Sequence, residues 1–147
     1  MTKDDTFYST EFLPYLLNQA AEAASLGFRQ YYKERYGMLR TEWRVLFHLG
    51  QFGEMTAKEI CDRANIHKTK ISRAVAALEK KRFIARRTME NDRRLEELFL
   101  TKSGKQVLED LQRRAKAFDQ SLMEQLGEEN ARSLKRNLAI LAGLKAD

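Results

Sequence analysis

Residues 56–94, TAKEICDRANIHKTKISRAVAALEKKRFIARRTMENDRR, decide the fold. They read as a short helix, a tight turn, a second helix and a two-stranded ribbon with a basic tip. Thr56-Ala57-Lys58-Glu59 has the form of a capping box. The threonine hydroxyl accepts from a free amide three residues on, and the glutamate reaches back to the first. Asn65 makes the turn, because asparagine tolerates the left-handed conformation. The second helix is expected from about Lys68 to Lys81, with Ile71, Val75 and Leu78 spaced i, i+4, i+7 on one face. Lys68, Thr69, Lys70, Ser72 and Arg73 fall at its start or off that face. An apolar back and a polar, basic front suit a helix laid in the major groove of DNA.

The net charge of +6 becomes informative once it is located. From Lys58 to Arg94 there are 12 Lys and Arg against 5 Asp and Glu, while the rest of the chain carries 15 against 16. The whole positive excess sits in about a quarter of the sequence, as a phosphate-binding face requires and scattered solubilising charge does not. The 147 residues allow one domain, or a small domain with extensions. With 33% of residues charged, little surplus apolar surface is left, and self-association would help to bury long amphipathic helices. One proline and seven glycines argue against a loop-rich or mostly β protein. Cys61 stands alone, so no internal disulfide forms, which fits a reducing cytoplasm. There is no run of 18 apolar residues, and the polar start Met1-Thr2-Lys3-Asp4-Asp5 is not a signal peptide. A soluble cytoplasmic protein with no membrane partner is expected.

Outward from the centre, residues 1–9 are polar and expected to fray. Residues 10–36 have a helical pattern: Leu13, Leu16, Leu17, Ala20, Ala24, Phe28 and Tyr31 or Tyr32 recur at three- and four-residue steps. Pro14 is tolerable only in the first turn of that helix, and Gly37 is its stop. A further helix is expected to start after Thr41 as its cap. It presents Trp43, Leu46, Phe47 and Leu49 and ends between Gly50 and Gly53. On the other side, Arg82 to Met89 and Leu95 to Thr101 read as short strands joined by Glu90-Asn91-Asp92-Arg93-Arg94. Thr101 then caps a long helix to Leu126 with a seam of Leu108, Leu111, Ala115, Phe118, Leu122 and Leu126. Such a helix is about 37 Å long, more than one small domain covers. Gly127 breaks it, and Glu128 and Glu129 suit the positive end of a last helix. Ala131, Leu134, Leu138, Leu141 and Leu144 are expected to line its buried face. Both ends therefore offer apolar stripes while the middle is basic. The simplest arrangement is a two-fold dimer in which Leu13, Leu16 and Leu17 and Leu134, Leu138 and Leu141 meet a second copy.

These residues resemble the MarR family of winged helix-turn-helix transcriptional regulators over essentially the whole chain. Ile60, Ala64, Ile66, Ile71 and Ala74 stand where the helix-turn-helix buries side chains, and Cys61 takes the place of a small alanine. Asp92-Arg93-Arg94 resembles the family's Asp-x-Arg wing signature; Leu100-Thr101 closes the second strand and Gly104 follows. Thr41-Glu42-Trp43-Arg44-Val45-Leu46 resembles the family's second-helix opening. The resemblance implies a mainly α fold with a small β-wing, as a single domain over 1–147. Residues 41–101 would form the winged helix-turn-helix, and 10–36 and 102–145 the dimerisation helices. There are departures. Arg82 stands where a glycine commonly ends the recognition helix, so a different closure is expected. His67 replaces the usual small polar cap and should cap less well. Glu96 and Glu97 put acid near the wing base, within reach of Arg86 or Arg87.

The resemblance implies double-stranded DNA as partner, read by Lys68, Thr69, Lys70, Ser72 and Arg73 rather than a merely solvated helix face. Arg73 is the candidate for a base-edge contact, since its planar fork binds guanine in two places. Arg94 is expected to enter the narrow minor groove with its guanidinium held by Asp92; the plain alternative is a surface ion pair. Arg93 is assigned to backbone phosphate, and strand alternation lets one of Arg86 and Arg87 join it. Relatives often bind small aromatic acids between the dimer helices and the DNA module. That makes Phe28, Trp43, Arg44 and His48 a candidate effector pocket, against ordinary core packing and hydrogen bonding. A redox role for Cys61 is disfavoured by its packed position. His48 and His67 form no cluster at metal-ligand spacing. No phosphate loop, nucleophile elbow or His-Glu-x-x-His is present, so no enzyme, cofactor or metal is expected. Two rivals remain: a non-specific architectural DNA binder, and a winged helix that binds an acidic protein.

Overall fold

A computed structural model describes residues 8–144. The expected frayed start lies mostly outside the described residues, as does Lys145. A 3-10 turn, Ser9–Glu11, leads into α1 (Leu13–Tyr36), where Pro14 occupies the first turn and has no helical partner to lose. Gly37 closes α1 in the left-handed region at φ 65°. Helix α2 (Arg40–Phe52) begins earlier than expected: Thr41 is inside its first turn and Leu39 is the cap. Leucine carries no acceptor, so only the reach-back half of a capping box forms, with the Leu39 amide donating to Glu42 Oε2 at 2.9 Å.

The central elements follow as β1 (Met55–Thr56), α3 (Ala57–Ala64), α4 (Lys68–Lys80), β2 (Ile84–Thr88) and β3 (Glu96–Leu100). The ribbon is therefore a three-stranded antiparallel sheet in the order β1-β3-β2, with Leu98 flanked by Met55 on one side and Arg86 on the other. Two residues are too short a signal for periodicity, and β1 was not foreseen. Strand β2 starts two residues later than expected, because Arg82 is left-handed at φ 63° and still belongs to the end of α4. Leu95 is drawn into the wing turn, its amide donating to the Asp92 carbonyl at 3.0 Å.

The core lies where α2, α3 and α4 meet the sheet and the first turns of α5 (Lys102–Leu126), with Leu46, Ile60, Ile71, Leu78, Leu98 and Leu111 fully buried. Each such side chain contributes roughly 1.5–3 kcal/mol by leaving water. Beyond that core the apolar stripes lose their cover. In α5, Leu108 and Leu111 are buried, Ala115, Phe118 and Leu122 half-buried, and Leu126 exposed. In α6 (Glu128–Leu141) only Ala131 is buried; Leu134, Leu138 and Leu141, and Leu144 beyond the helix, face solvent. Beyond Ala131, the expected buried face of the last helix is thus left open among the described residues, where α6 packs against α5 but its leucines stay exposed.

Helix α1 is tied to α5 at Asp110, whose carboxylate accepts from the Tyr31 hydroxyl at 2.9 Å, from the Tyr36 hydroxyl, and from Arg35 at 3.1 Å. Tyr36 first, then Tyr31 and the nearby Arg35 and Arg113, hold that carboxyl below the ordinary aspartate value of 3.8. Phe28 continues the seam: its ring meets Trp43 of α2 edge-on at 5.1 Å and stacks on Phe118 of α5 at 6.0 Å.

Candidate nucleic-acid interface

The reading helix is built from local signals. Thr56 caps α3, its hydroxyl accepting from the Glu59 amide at 3.2 Å. Asn65 makes the turn in the left-handed region at φ 56°, and the Ile66 amide returns to the Cys61 carbonyl at 3.2 Å. His67 takes the cap position of α4, where its Nδ1 accepts from the Thr69 amide at 3.2 Å. An imidazole nitrogen without a proton takes the place of a hydroxyl.

Ile71, Ala74, Val75 and Leu78 bury the back of α4, leaving Lys68, Thr69, Lys70, Ser72 and Arg73 together on its exposed front. Among the described residues, no carboxylate lies within ion-pair distance of Lys68, Lys70 or Arg73. The wing base differs. Arg86 pairs with Glu79 at 2.8 Å and with Glu96 at 3.2 Å, and Arg87 pairs with Glu54 while lying over the Phe99 ring at 5.1 Å. Both arginines are thus engaged by carboxylates while staying partly exposed, and Glu96, not Glu97, supplies the expected acid. At the tip, Asp92 Oδ1 accepts from the Arg94 amide at 3.0 Å and from Arg94 Nε at 3.2 Å, so one carboxylate holds both backbone and guanidinium. Those bonds lower the Asp92 pKa, the side-chain one most. Arg94 itself is 91% exposed, a charge held in orientation yet open to a groove.

The recognition helix closes as a glycine would close it, with arginine in the glycine's conformation. Arg82 adopts φ 63°, the Phe83 amide reaches back to the Leu78 carbonyl at 3.0 Å, and Thr101 Oγ1 donates to the Arg82 carbonyl at 2.7 Å. The expected different closure is not found. Gly104, in the first turn of α5, packs so tightly here that a Cβ would lie 1.9 Å from the Phe83 carbonyl oxygen. The end of α4 and the start of α5 are thereby in backbone contact.

Two polar contacts on α2 were missed by reading the sequence. Glu42 is buried, and its Oε1 accepts from Lys81 Nζ at 2.8 Å. Arg44 Nη2 donates to the Ala64 carbonyl at 2.6 Å, and burial lowers its pKa, with Arg40 adding to the effect. Their partners lie 39 and 20 residues away, and no short-range pattern points to them. Of the candidate effector residues, Phe28 and Trp43 are in ring contact, and the His48 ring donates from Nδ1 to the Arg44 carbonyl at 2.7 Å. Among the described residues, no three His, Cys, Asp or Glu gather where a metal could sit, and no helix is long and apolar enough to cross a membrane.

Comparison with known proteins agrees with this geometry. A family model described as MarR family matches residues 36–95. The HTH-type transcriptional regulator YwoH of Bacillus subtilis (strain 168) is 27% identical over 123 residues, covering 84% of this chain and 88% of that protein. The solved transcriptional regulator PA4135 superposes with a TM-score of 0.81 at 28% identity, over 92% of this chain and 98% of that one. NadR, solved in complex with 4-hydroxyphenylacetate, does so with a TM-score of 0.78 at 26% identity, over 95% and 99%. These relatives are regulators rather than enzymes. Residues 36–95 of the chain thus match the MarR family, and over most of its length the chain is similar to transcriptional regulators.

Proposed function

We propose that the protein is a cytoplasmic, homodimeric repressor that binds a pseudo-palindromic operator and is released from it by a small aromatic acid. The observation that carries this reading is the front of α4, where Lys68, Lys70 and Arg73 stand exposed and, among the described residues, without a carboxylate partner. Two such helices, about one turn of duplex apart, would enter successive major grooves. Arg73 reads a base edge, while Lys68, Thr69, Lys70 and Ser72 mix phosphate positioning with base contacts. Arg94, oriented by Asp92, enters the minor groove, and Arg93 touches phosphate.

Dimerisation is supported by what one chain leaves uncovered. Leu13, Leu16 and Leu17 at one end and Leu134, Leu138 and Leu141 at the other are all exposed in a single copy. Domain roles follow from this: residues 10–36 and 102–145 form the dimer, and residues 41–101 read DNA. The effector reading rests on NadR and on the Phe28–Trp43 ring pair, with Arg44 and His48 on the same helix as Trp43. An acid lodged there would favour one spacing of the two reading helices, and affinity for the operator falls by its preference for that shape.

The test is competition binding. A duplex that the protein selects from a randomised pool is compared with the unselected pool, for the wild type and for Arg73→Ala. A base contact is worth about 1–3 kcal/mol of discrimination, so Arg73→Ala should lose more on the selected duplex. A wild-type ratio near one would identify a non-specific architectural binder instead. Absence of duplex binding at low salt would point to an acidic protein partner. Release by 4-hydroxyphenylacetate is measured in the same assay.

A further inference from the structure

Helix α2 holds both helices of the helix-turn-helix, and it grips each at its C-terminal end with a charged side chain. Glu42 lies in the first turn of α2 and is 3% exposed. Its Oε2 accepts from the Leu39 amide at 2.9 Å and its Oε1 from Lys81 Nζ at 2.8 Å. Lys81 is the residue that caps α4. Two residues along α2, Arg44 donates to the carbonyl of Ala64, the last residue of α3, at 2.6 Å. A helix C-terminus is the negative end of its dipole, where a cation is favoured. Each reading-module helix therefore ends on a cation that α2 carries or holds.

The apolar contacts between α2 and α4 permit small slides, since they have no direction. A buried carboxylate with both oxygens engaged does not, because moving it leaves a charge or an amide without a partner. The same holds for a partly buried guanidinium set on one carbonyl. The Glu42 strut thus bears on the end of α4 directly, and the Arg44 strut on the end of α3, which packs against α4.

We propose that Glu42 and Arg44 are positioning residues for DNA reading, which raise discrimination between sequences rather than general affinity for duplex. Base-edge contacts demand placement to about 0.5 Å, whereas phosphate contacts tolerate a tilted helix. The inference rests on the operator reading above.

The test uses the full-length protein, the duplex it selects from a randomised pool, and the unselected pool. Glu42→Gln keeps an acceptor for the Leu39 amide and removes the charge that holds Lys81. It should lower affinity for the selected duplex by about tenfold, the size of a lost base contact, and affinity for the pool by much less. Lys81→Met, altered at a part-exposed position, should do the same, and Lys81→Arg should stay within about twofold of the wild type. The double variant Glu42→Gln/Lys81→Met should lose no more than either single change, because the two residues act as one strut. Arg44→Met should reduce the ratio independently of that pair. Equal losses on both duplexes, or losses that multiply in the double variant, would overturn the proposal and leave the operator reading standing. A wild-type ratio near one would remove both.

Discussion

The winged module and the terminal helices use the same apolar residues under different conditions. In the module, Ile60, Ile71, Leu78 and Leu98 are wholly covered by their own chain. In the terminal helices, Leu13 is 61% exposed, Leu138 38% and Leu141 62%. The module's burial is intramolecular, so its contribution does not depend on concentration. Any burial of the terminal stripes by a second copy does. The contrast separates two regions in one sequence: a winged module, the proposed reading head, whose core its own chain completes, and terminal helices, the proposed frame, whose apolar stripes one chain leaves open.

The sharpest way to break that contrast is to put charge on the frame. Leu134→Glu/Leu138→Glu should leave the reading head folded yet give a single protomer in sedimentation. Binding to a two-half-site duplex should fall by a hundredfold or more, since linked sites lose their effective concentration. A variant that stays dimeric would show that the frame is held elsewhere. A second change tests where the two regions join. Gly104→Ala places a methyl 1.9 Å from the Phe83 carbonyl oxygen, with backbone on both sides of the clash. The expected loss is about 2 kcal/mol in urea titration. An unchanged midpoint would mean that α5 slides freely on the end of α4.

How much of this could be read in the sequence follows the range of each signal. The Thr56 cap, the Asn65 turn and the 68–80 helix come from residues within four of one another, and all were legible. The start of α2 was misplaced because Thr41 looks like a cap, while the true cap, Leu39, owes its position to Glu42 reaching back. Strand β1 has two residues and exists only because β3 pairs with it. The Glu42–Lys81 and Arg44–Ala64 contacts join separate elements and leave no spacing to detect. For α6 the periodicity was legible but its cover was not, since a stripe does not say which chain lies over it. At the wing, Asp92 beside Arg94 was readable from adjacency, whereas the pairing of Arg87 with Glu54 came only with the fold.

A smaller effect separates the two regions by pH. Asp110 fastens α1 of the frame to α5, and its carboxyl is held low by Tyr36, Tyr31 and Arg35. A carboxylate depressed in the folded state adds stability above its unfolded value, near 3.8, and that contribution is lost as the pH falls through the folded value. Asp110→Asn should therefore be less stable than the wild type at pH 7 by about 1 kcal/mol, at the low end for bonds to a partly shielded charge. The gap should narrow in acid as the wild-type carboxylate protonates. Urea titrations at pH 7 and pH 3.5 would measure it; a gap that holds constant would assign Asp110 a packing role only.

The smallest predicted change improves the protein. Arg82 occupies the left-handed region at φ 63°, and its exposed side chain makes none of the ion pairs found among the described residues. A Cβ there costs roughly 1–2 kcal/mol, while glycine would lose about 0.4–1 kcal/mol more backbone freedom on folding. Arg82→Gly should thus stabilise the protein by about 0.5 kcal/mol, a rise of roughly 1–2 °C for a chain of this length. Its contacts through backbone atoms, including the Thr101 bond, survive the change. The same variant bears on DNA reading, because it removes a cation near the end of the recognition helix without moving that end. An unchanged salt dependence of duplex binding would place Arg82 outside the phosphate contacts; a slope shallower by about 0.9 would add it to them. A fall in melting temperature, by contrast, would mean that the arginine side chain holds this turn by a contact stronger than the strain it imposes.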